Sequence, residues 1–543
     1  MKRFVILAIL FFVNLVLINS ITANTFTINN HLMGKDNYKL KMSEARIKFN
    51  QQDYHGALRI YRELYVNYED DASLNYRMGE CFVAIEEMDT AITYLKKSLE
   101  LDSLVSNEVY LLLGKSYQYL EKIDKAIENY YKFKLTLSPK QNEKHEVNVF
   151  LQQCLTAKEM IVHPANVIIT NLGPNINSKY TDACPSITAD GITLIFTSRR
   201  AENTGRLINP ETEEYYDDIY ISTWNDTLKI FTKAKNIGSP INTKEHDANM
   251  SISPDGTQIF IYKNIAGVTQ SGDIYISKKN PDGKWSPARP IVNKYINSSY
   301  FESSACITAD GNTLYFVSER EKDGYGNSDI YMAKREGKEW GKPVNIGPII
   351  NTKYDEIAVF IHPDGKTLFF SSNGHNTMGG YDIFMSKFEN GNWSEPVNIG
   401  YPINTTKDEY HFVLTTDRKT AYISSSRDGG FGKSDIYKVD MSNYFNKTAN
   451  QNQLSILKGI ITDYQTKEPV ETNIEIKDLS DSTKNFTTSN DKGEYFITLP
   501  SGKFYELIIN NEEYDYFSIK INLPAVKNET LSEKKDIVIK RKQ

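Results

Sequence analysis

Residues 187–200 read ITADGITLIFTSRR, and the pattern returns as SISPDGTQIFIY (251–262), ITADGNTLYFVSER (307–320) and IHPDGKTLFFSSN (361–373). In each copy an Asp-Gly pair divides two short apolar runs, the signal of a β-hairpin whose turn needs positive φ. The turn aspartates are Asp190, Asp255, Asp310 and Asp364, with an altered fifth at Asp417-Arg418, at intervals of 65, 55, 54 and 53 residues. A second ladder keeps step with the first: DIY begins at Asp218, Asp273, Asp329 and Asp435, and DIF at Asp382. A third is NIG at Asn236, Asn345 and Asn398, preceded in two copies by Trp340 or Trp393, with Trp285 and Phe231 in the equivalent place. Each unit reads strand, hairpin, strand, loop, strand, turn, strand, which is one four-stranded blade of a β-propeller. The fifth unit stops after DIYKVD and lacks its last strand, and NVIITNLG (166–173) stands before the first unit. Pairing that N-terminal strand into the last blade predicts a ring of five blades with no free edge, spanning 162–442.

The four turn-strand segments resemble the TolB-type propeller repeat, a likeness that covers about half of the chain. Upstream, residues 35–161 are helical in pattern with a period of 34–35. Ala57, Ala91 and Ala126 recur within QQDYHGALRIYREL, IEEMDTAITYLKKSLELD and LEKIDKAIENYYKFKLTLSP, and Ala45, Gly79 and Gly114 recur ahead of them. Small residues are needed where two helices of a hairpin cross closely, while Tyr61, Leu95, Tyr130, Phe82 and Tyr117 fill the space between hairpins. These features resemble tetratricopeptide repeats, in three copies plus a closing helix from Asn142 to Ile161, and three repeats are about the minimum for a stable solenoid. Downstream, a polar linker (443–453) precedes alternating strands over 454–543, with turns at Asp463–Pro469, Asp491–Gly493 and Pro500–Gly502 and a last strand in DIVIK (536–540). This segment resembles the carboxypeptidase-regulatory, prealbumin-like β-sandwich. The expected fold class is multidomain α + β: an α-solenoid, a five-bladed propeller and a β-sandwich in series.

Composition agrees with several folded modules. The 543 residues are 40% hydrophobic and 24% charged, a globular mix too long for one core. A net charge of −6 provides no basic field to hold nucleic acid. Cys81, Cys154, Cys184 and Cys306 are widely spaced, which excludes a disulfide scaffold or zinc ribbon, and Cys184 and Cys306 are expected as small buried apolar groups. Lys2 and Arg3 precede an apolar run from Phe4 to Ile18 and a small-residue stretch ending at Ala23, which reads as a secretory signal peptide over 1–23, followed by a linker over 24–34. No cysteine precedes Cys81, so there is no lipobox, and no other apolar run is long enough to span a bilayer.

The order of modules resembles a family of Bacteroidota envelope proteins, some of them components of type IX secretion machinery, in which an OmpA-type peptidoglycan-binding domain usually follows. Here the sequence ends at Gln543, where that domain would start, so the resemblance carries no expectation of peptidoglycan binding. It implies an exported protein of the periplasm, associated with the outer membrane, whose partners are envelope or outer-membrane proteins. A cell-surface location is the alternative.

A search for catalytic chemistry finds no constellation. There is no G-x-S-x-G elbow, no HExxH or other close histidine pair, no phosphate loop and no calcium loop. No cofactor or metal is expected, and the function expected is a non-catalytic scaffold that binds proteins through the tetratricopeptide groove and a propeller face. The rival is a carbohydrate-binding or glycan-processing propeller, in which Trp340 and Trp393 would stack on sugars instead of packing blade against blade. One constellation stands out. Eight residues before each turn aspartate position lies an acid: Asp182, Asp247, Glu302, Glu356 and Glu409. At the start of each innermost strand, five such carboxylates would ring a channel mouth and hold a cation or a partner's Lys or Arg. The alternative is that each acid caps a neighbouring turn. The aspartate of each DIY motif is expected to make a fixed hydrogen bond at its strand start.

Overall fold

The computed structural model describes residues 37–209, 212–265, 272–445, 453–525 and 530–542. The stretch 1–23 expected as a signal peptide, the expected linker 24–34 and most of the expected linker 443–453 lie outside the described residues. The chain divides into two compact units, Met1–Leu151 and Gln152–Gln543, the division falling inside a helix.

The first unit is built of helices: α1 (37–50), α2 (Tyr54–Tyr68), α3 (Ala72–Ala84), α4 (Met88–Leu101), α5 (Glu108–Tyr119), α6 (Ile123–Leu135), α7 (Pro139–Lys144) and the start of α8 (Val147–Val162). The recurrent small residues sit where paired helices cross. A β-carbon on Gly79 would meet the Leu95 side chain at 2.7 Å, and one on Gly114 would meet the Tyr130 ring at 2.5 Å. Ala45, Ala57, Ala91 and Ala126 are buried, with Tyr61, Leu95 and Tyr130 among them. The closing helix departs from expectation. The stretch expected as one helix from Asn142 to Ile161 is broken into α7 and α8. Ser138 and Gln141 form a capping box that starts α7 at Pro139, and Glu146, at φ +50, stops it from running on into α8.

In the second unit, five antiparallel sheets follow one another. Their first strands are Asp182–Ile187, Asp247–Ile252, Glu302–Ile307, Glu356–Ile361 and Tyr410–Leu414, each paired through an Asp-Gly or Asp-Arg turn to a second strand and then to a third that starts at the DIY or DIF aspartate. Gly191, Gly256, Gly311 and Gly365 take up φ between +67 and +74 at these turns, and Arg418 is forced to +60 in the fifth. Phe231, Trp340 and Trp393 lie in two-residue fourth strands, and Trp285 bridges to Lys279. The fifth sheet takes its fourth strand from Ile168–Asn171, antiparallel to Asp435–Asp440.

The sheets form a closed sequence of neighbours. Each first strand touches the next, and the fifth touches the first. Five hydrophobic clusters lie between consecutive sheets, including one that joins Ile187 and Phe196 of the first to Val413 and Tyr422 of the fifth. A cavity of about 20 Å³, room for a single water, is lined by Ser186, Ser251, Cys306, Phe360 and Leu414 among others, so all five first strands surround one axis. Beyond these, Leu454–Asp463, Glu494–Pro500, Leu531–Lys534 and Ile537–Ile539 form one sheet, and Asn473–Asp478, Lys484–Thr488, Lys503–Ile509 and Phe517–Leu523 form another, around a shared core that includes Ile461, Ile476, Tyr505 and Leu507.

Chain closure rests on one side chain in particular. The Asn171 amide donates to Asp435 at 2.7 Å and its carbonyl oxygen accepts from Gly173 and from Asn177. Asn171→Ala should therefore cost about 1–3 kcal/mol, read as a lower urea midpoint for the sheet region. Asn345→Ala, which removes the matching bond inside the third sheet, should cost a similar amount without loosening the strand 168–171 to proteolysis.

Candidate functional site

The five acids lie in the innermost strands or, for Glu409, one residue before, and all five are fully buried. Each is bonded to the Ser or Thr four residues upstream through both its backbone N–H and its hydroxyl: Ser178 to Asp182, Thr243 to Asp247, Ser298 to Glu302, Thr352 to Glu356 and Thr405 to Glu409. The carboxylates therefore cap the turn that leads into their own strands and present no solvent-exposed oxygen at a channel mouth. Contacts between neighbouring first strands arrange them in a cycle, but their bonds run into the sheets.

Four of the five sheets put a cation beside the acid. Arg200 donates to Asp182 at 2.9 Å, Lys263 pairs with Asp247, and Arg320 reaches Glu302 at 3.3 Å. In the fifth sheet Arg427 acts on Glu409 electrostatically. Each of these cations also donates to the carbonyl six residues before its acid, on Ile176, Ile241, Ile296 and Ile403. Arg200, Arg320 and Arg427 lie over Tyr220, Tyr331 and Tyr437, at 4.5, 4.7 and 5.3 Å. In the fourth sheet His375 takes this place: its Nε2 meets Ile350 O at 2.8 Å and its ring lies 5.1 Å from Phe384. No cation pairs with Glu356 among the described residues.

Sequence reasoning found the acids and offered turn capping as the alternative to a ring at a channel mouth, but it missed the groups that work beside them. An Asn one residue before each capping Ser or Thr (Asn177, Asn242, Asn297, Asn351, Asn404) makes a two-way amide bridge with the backbone of Ile436, Ile219, Ile274, Ile330 and Ile383 respectively, tying each sheet to the one before it. The signal was present as Ile-Asn-Ser/Thr at five regular positions, and as the basic residue 16 or 18 positions after four of the acids. The DIY and DIF aspartates Asp218, Asp329, Asp382 and Asp435 accept from upstream backbone N–H groups and from Asn236, Asn345, Asn398 and Asn171. Burial pushes the carboxyls of Glu356 and Glu409 up to about 7, and that of Asp382 well above the usual range.

His246 meets Asp217 at 2.9 Å and His362 meets Asp364 at 3.3 Å. Both aspartates also hold an arginine, Arg199 or Arg418. Among the described residues no serine, threonine or cysteine side chain is hydrogen-bonded to either imidazole, the contact an activated nucleophile needs. No group of three or more His, Cys, Asp or Glu able to hold a metal occurs among the described residues, and all four cysteines are free. Trp393 is buried, its ring edge-on to Tyr315 of the third sheet at 6.2 Å, so it packs between sheets.

The helical unit offers a different surface. The residues following the small ones at the crossings are Arg46, Glu80 and Lys115, at matching positions of α1, α3 and α5. Arg46 and Arg77 both pair with Glu80 at 2.8 Å. Lys115, exposed to solvent, stands over the Phe150 ring at 5.0 Å, with no carboxylate in salt-bridge range among the described residues. A cleft of about 380 Å³ also opens between α2 and α4, lined by Tyr65, Asp89, Thr93, Tyr94 and Lys97.

No family model matches the chain, and no curated protein matches it. Among solved structures, the Yersinia enterocolitica type III secretion chaperone SycD, in complex with a peptide of the translocator YopD, is similar to 23% of the chain, at 16% identity and TM-score 0.21 over 95% of its own length. TolB from Acinetobacter baumannii is similar to 56% of the chain, at 16% identity and TM-score 0.33 over 70% of its own length. An α-L-arabinofuranosidase from Lactobacillus brevis is similar to 50%, at 13% identity and TM-score 0.33 over 94% of its length. At these scores none of the likenesses bears on what the chain does.

The acid–cation pairs predict a steep asymmetry. Arg200→Met leaves Asp182 buried without its cation and should cost about 3–5 kcal/mol, whereas Asp182→Asn combined with Arg200→Met should recover most of that loss. Thermal and urea melts of the three variants read the difference.

Proposed function

We propose that this protein is a non-catalytic envelope adaptor, with a tetratricopeptide α-solenoid that docks a protein partner, a five-bladed TolB-like β-propeller and a prealbumin-like β-sandwich. The observation that carries this reading is the contrast between the two candidate surfaces. The repeated acids of the sheets are committed to their own turns, whereas the helical repeats expose Lys115 against an aromatic ring with no anion of its own among the described residues. A partner segment that brings a carboxylate and an apolar side chain would satisfy both groups at once.

The setting follows from the sequence resemblance. We place the mature chain in the periplasm against the outer membrane, with envelope proteins as partners and type IX secretion or gliding machinery as the context. No helix among the described residues is long and apolar enough to cross a membrane.

Cross-linking and affinity purification of the tagged, natively expressed protein from whole envelopes tests the reading. Links from α1, α3 and α5 to a defined set of outer-membrane proteins are expected, and Lys115→Glu should weaken capture about tenfold, equivalent to ~1.4 kcal/mol. A partnerless protein whose melting temperature rises with soluble glycans would overturn the adaptor reading in favour of the carbohydrate-binding one.

A further inference from the structure

The five sheets are internal controls for one another, and the fourth departs from the rest. Where the others place Arg or Lys beside the buried acid, this sheet has Ser372 and Gly374 at the corresponding positions, and His375 occupies the cation's place on the carbonyl. A side chain at Gly374 is excluded, since its β-carbon would lie 2.0 Å from the Thr352 hydroxyl oxygen. Glu356 is thus held by neutral donors alone, the Thr352 N–H and the Thr352 and Ser372 hydroxyls.

Those donors are the first links of a chain of bonds. The Gly374 N–H donates to Ser372 Oγ, which donates to Glu356. The next residue, His375, is bonded to Ile350 O, two residues before Thr352. The two residues after it hold the helical segment that opens the second unit: Gln153 Nε2 donates to Thr377 Oγ1 at 3.0 Å and Thr156 Oγ1 to Asn376 Oδ1 at 2.5 Å. The protonation state of one buried carboxyl is therefore wired through 372–377 to the grip on residues 153 and 156.

We propose that the fourth sheet is a pH-responsive latch, in which protonated Glu356 keeps the 373–381 loop closed on Gln153 and Thr156 and loss of that proton loosens it. The charged and titratable groups around the latch agree in sign. Asp329 of the third sheet opposes ionisation of Glu356, and Tyr381, bonded to Asp355 and influenced by Asp408, adds no cation. His375 is packed on Phe370 and Phe384, with Glu395 as the carboxylate acting on it, and burial lowers its basicity, so at neutral pH it stays uncharged and does not balance Glu356. Burial, reinforced by Asp329 against the three hydrogen bonds, lifts the Glu356 carboxyl from 4.5 to about 7. The native state then holds a proton that the unfolded state has released. This contribution to stability is complete below about pH 4.5 and is lost as pH rises to about 7.

Hydrogen exchange of the full chain, followed by mass spectrometry at about pH 5.5 and about pH 8.5 and corrected for intrinsic rates, reads the latch directly. Peptides covering 373–381 and 152–162 should exchange about tenfold faster at the higher pH, while loops carrying Arg200 and Arg320 change little. Glu356→Gln, neutral at every pH, should reduce the difference about threefold or more, Asp382, which accepts from the Met378 N–H of the same loop and is itself lifted by burial, accounting for what remains. An unchanged pH difference in Glu356→Gln, or none in the natural chain, overturns the proposal. Should Glu356→Gln fail to fold, Ser372→Ala decides. It removes a donor to the ionised carboxyl and should move the midpoint of the transition to higher pH, and an unmoved midpoint rejects the latch.

Discussion

Pairing of Ile168–Asn171 with Asp435–Asp440 joins parts of the chain more than 260 residues apart, and the arrangement of the five sheets depends on it. Without that fourth strand the fifth sheet would end at an open edge. The entropy of closing so long a loop grows only with the logarithm of its length, so one extra strand pairing and one shared hydrophobic cluster are enough to offset it. Asn171 then repeats, across the two ends of the segment, the bond that Asn236, Asn345 and Asn398 make within single sheets to Asp218, Asp329 and Asp382. The junction is chemically the same as the interior of the repeat.

A ring held together only by apolar contacts between sheets would be free to slide in register. The buried polar set removes that freedom. An Asn amide bridges to the previous sheet, a Ser or Thr is capped by an acid, and a cation stitches the acid to a carbonyl. Each group has few acceptable partners, and leaving any of them buried and unpaired would cost more than its bond contributes. This is a role in specificity as much as in stability, since a buried ion pair gains little over apolar packing of the same volume. The fourth sheet lacks the cation and keeps the rest, so its acid is held by neutral donors alone.

Much of this organisation was legible in the residues. The Asp-Gly, DIY and NIG ladders predicted five hairpin-based sheets and the swapped strand, because turn geometry and alternation are local properties. The 34–35 residue spacing of Ala and Gly located the helix crossings for the same reason: a β-carbon at Gly79 or Gly114 has no room. The closing helix was misjudged, since a helical pattern does not show that Glu146 turns left-handed after a capped start at Ser138.

The candidate site was only half legible. The acids could be found by their register, but whether five carboxylates face a channel or their own turns depends on which side of the strand carries the donors. That is decided by groups brought in from other strands, Arg200 from 18 residues away and Asn177 onto Ile436 from 259. The sequence by itself determined the repeat and the number of hairpin-based sheets it generates, because both follow from spacing along the chain. Only the tertiary structure decided which charges are neutralised and which are left over, because desolvation and pairing are properties of the space around a residue.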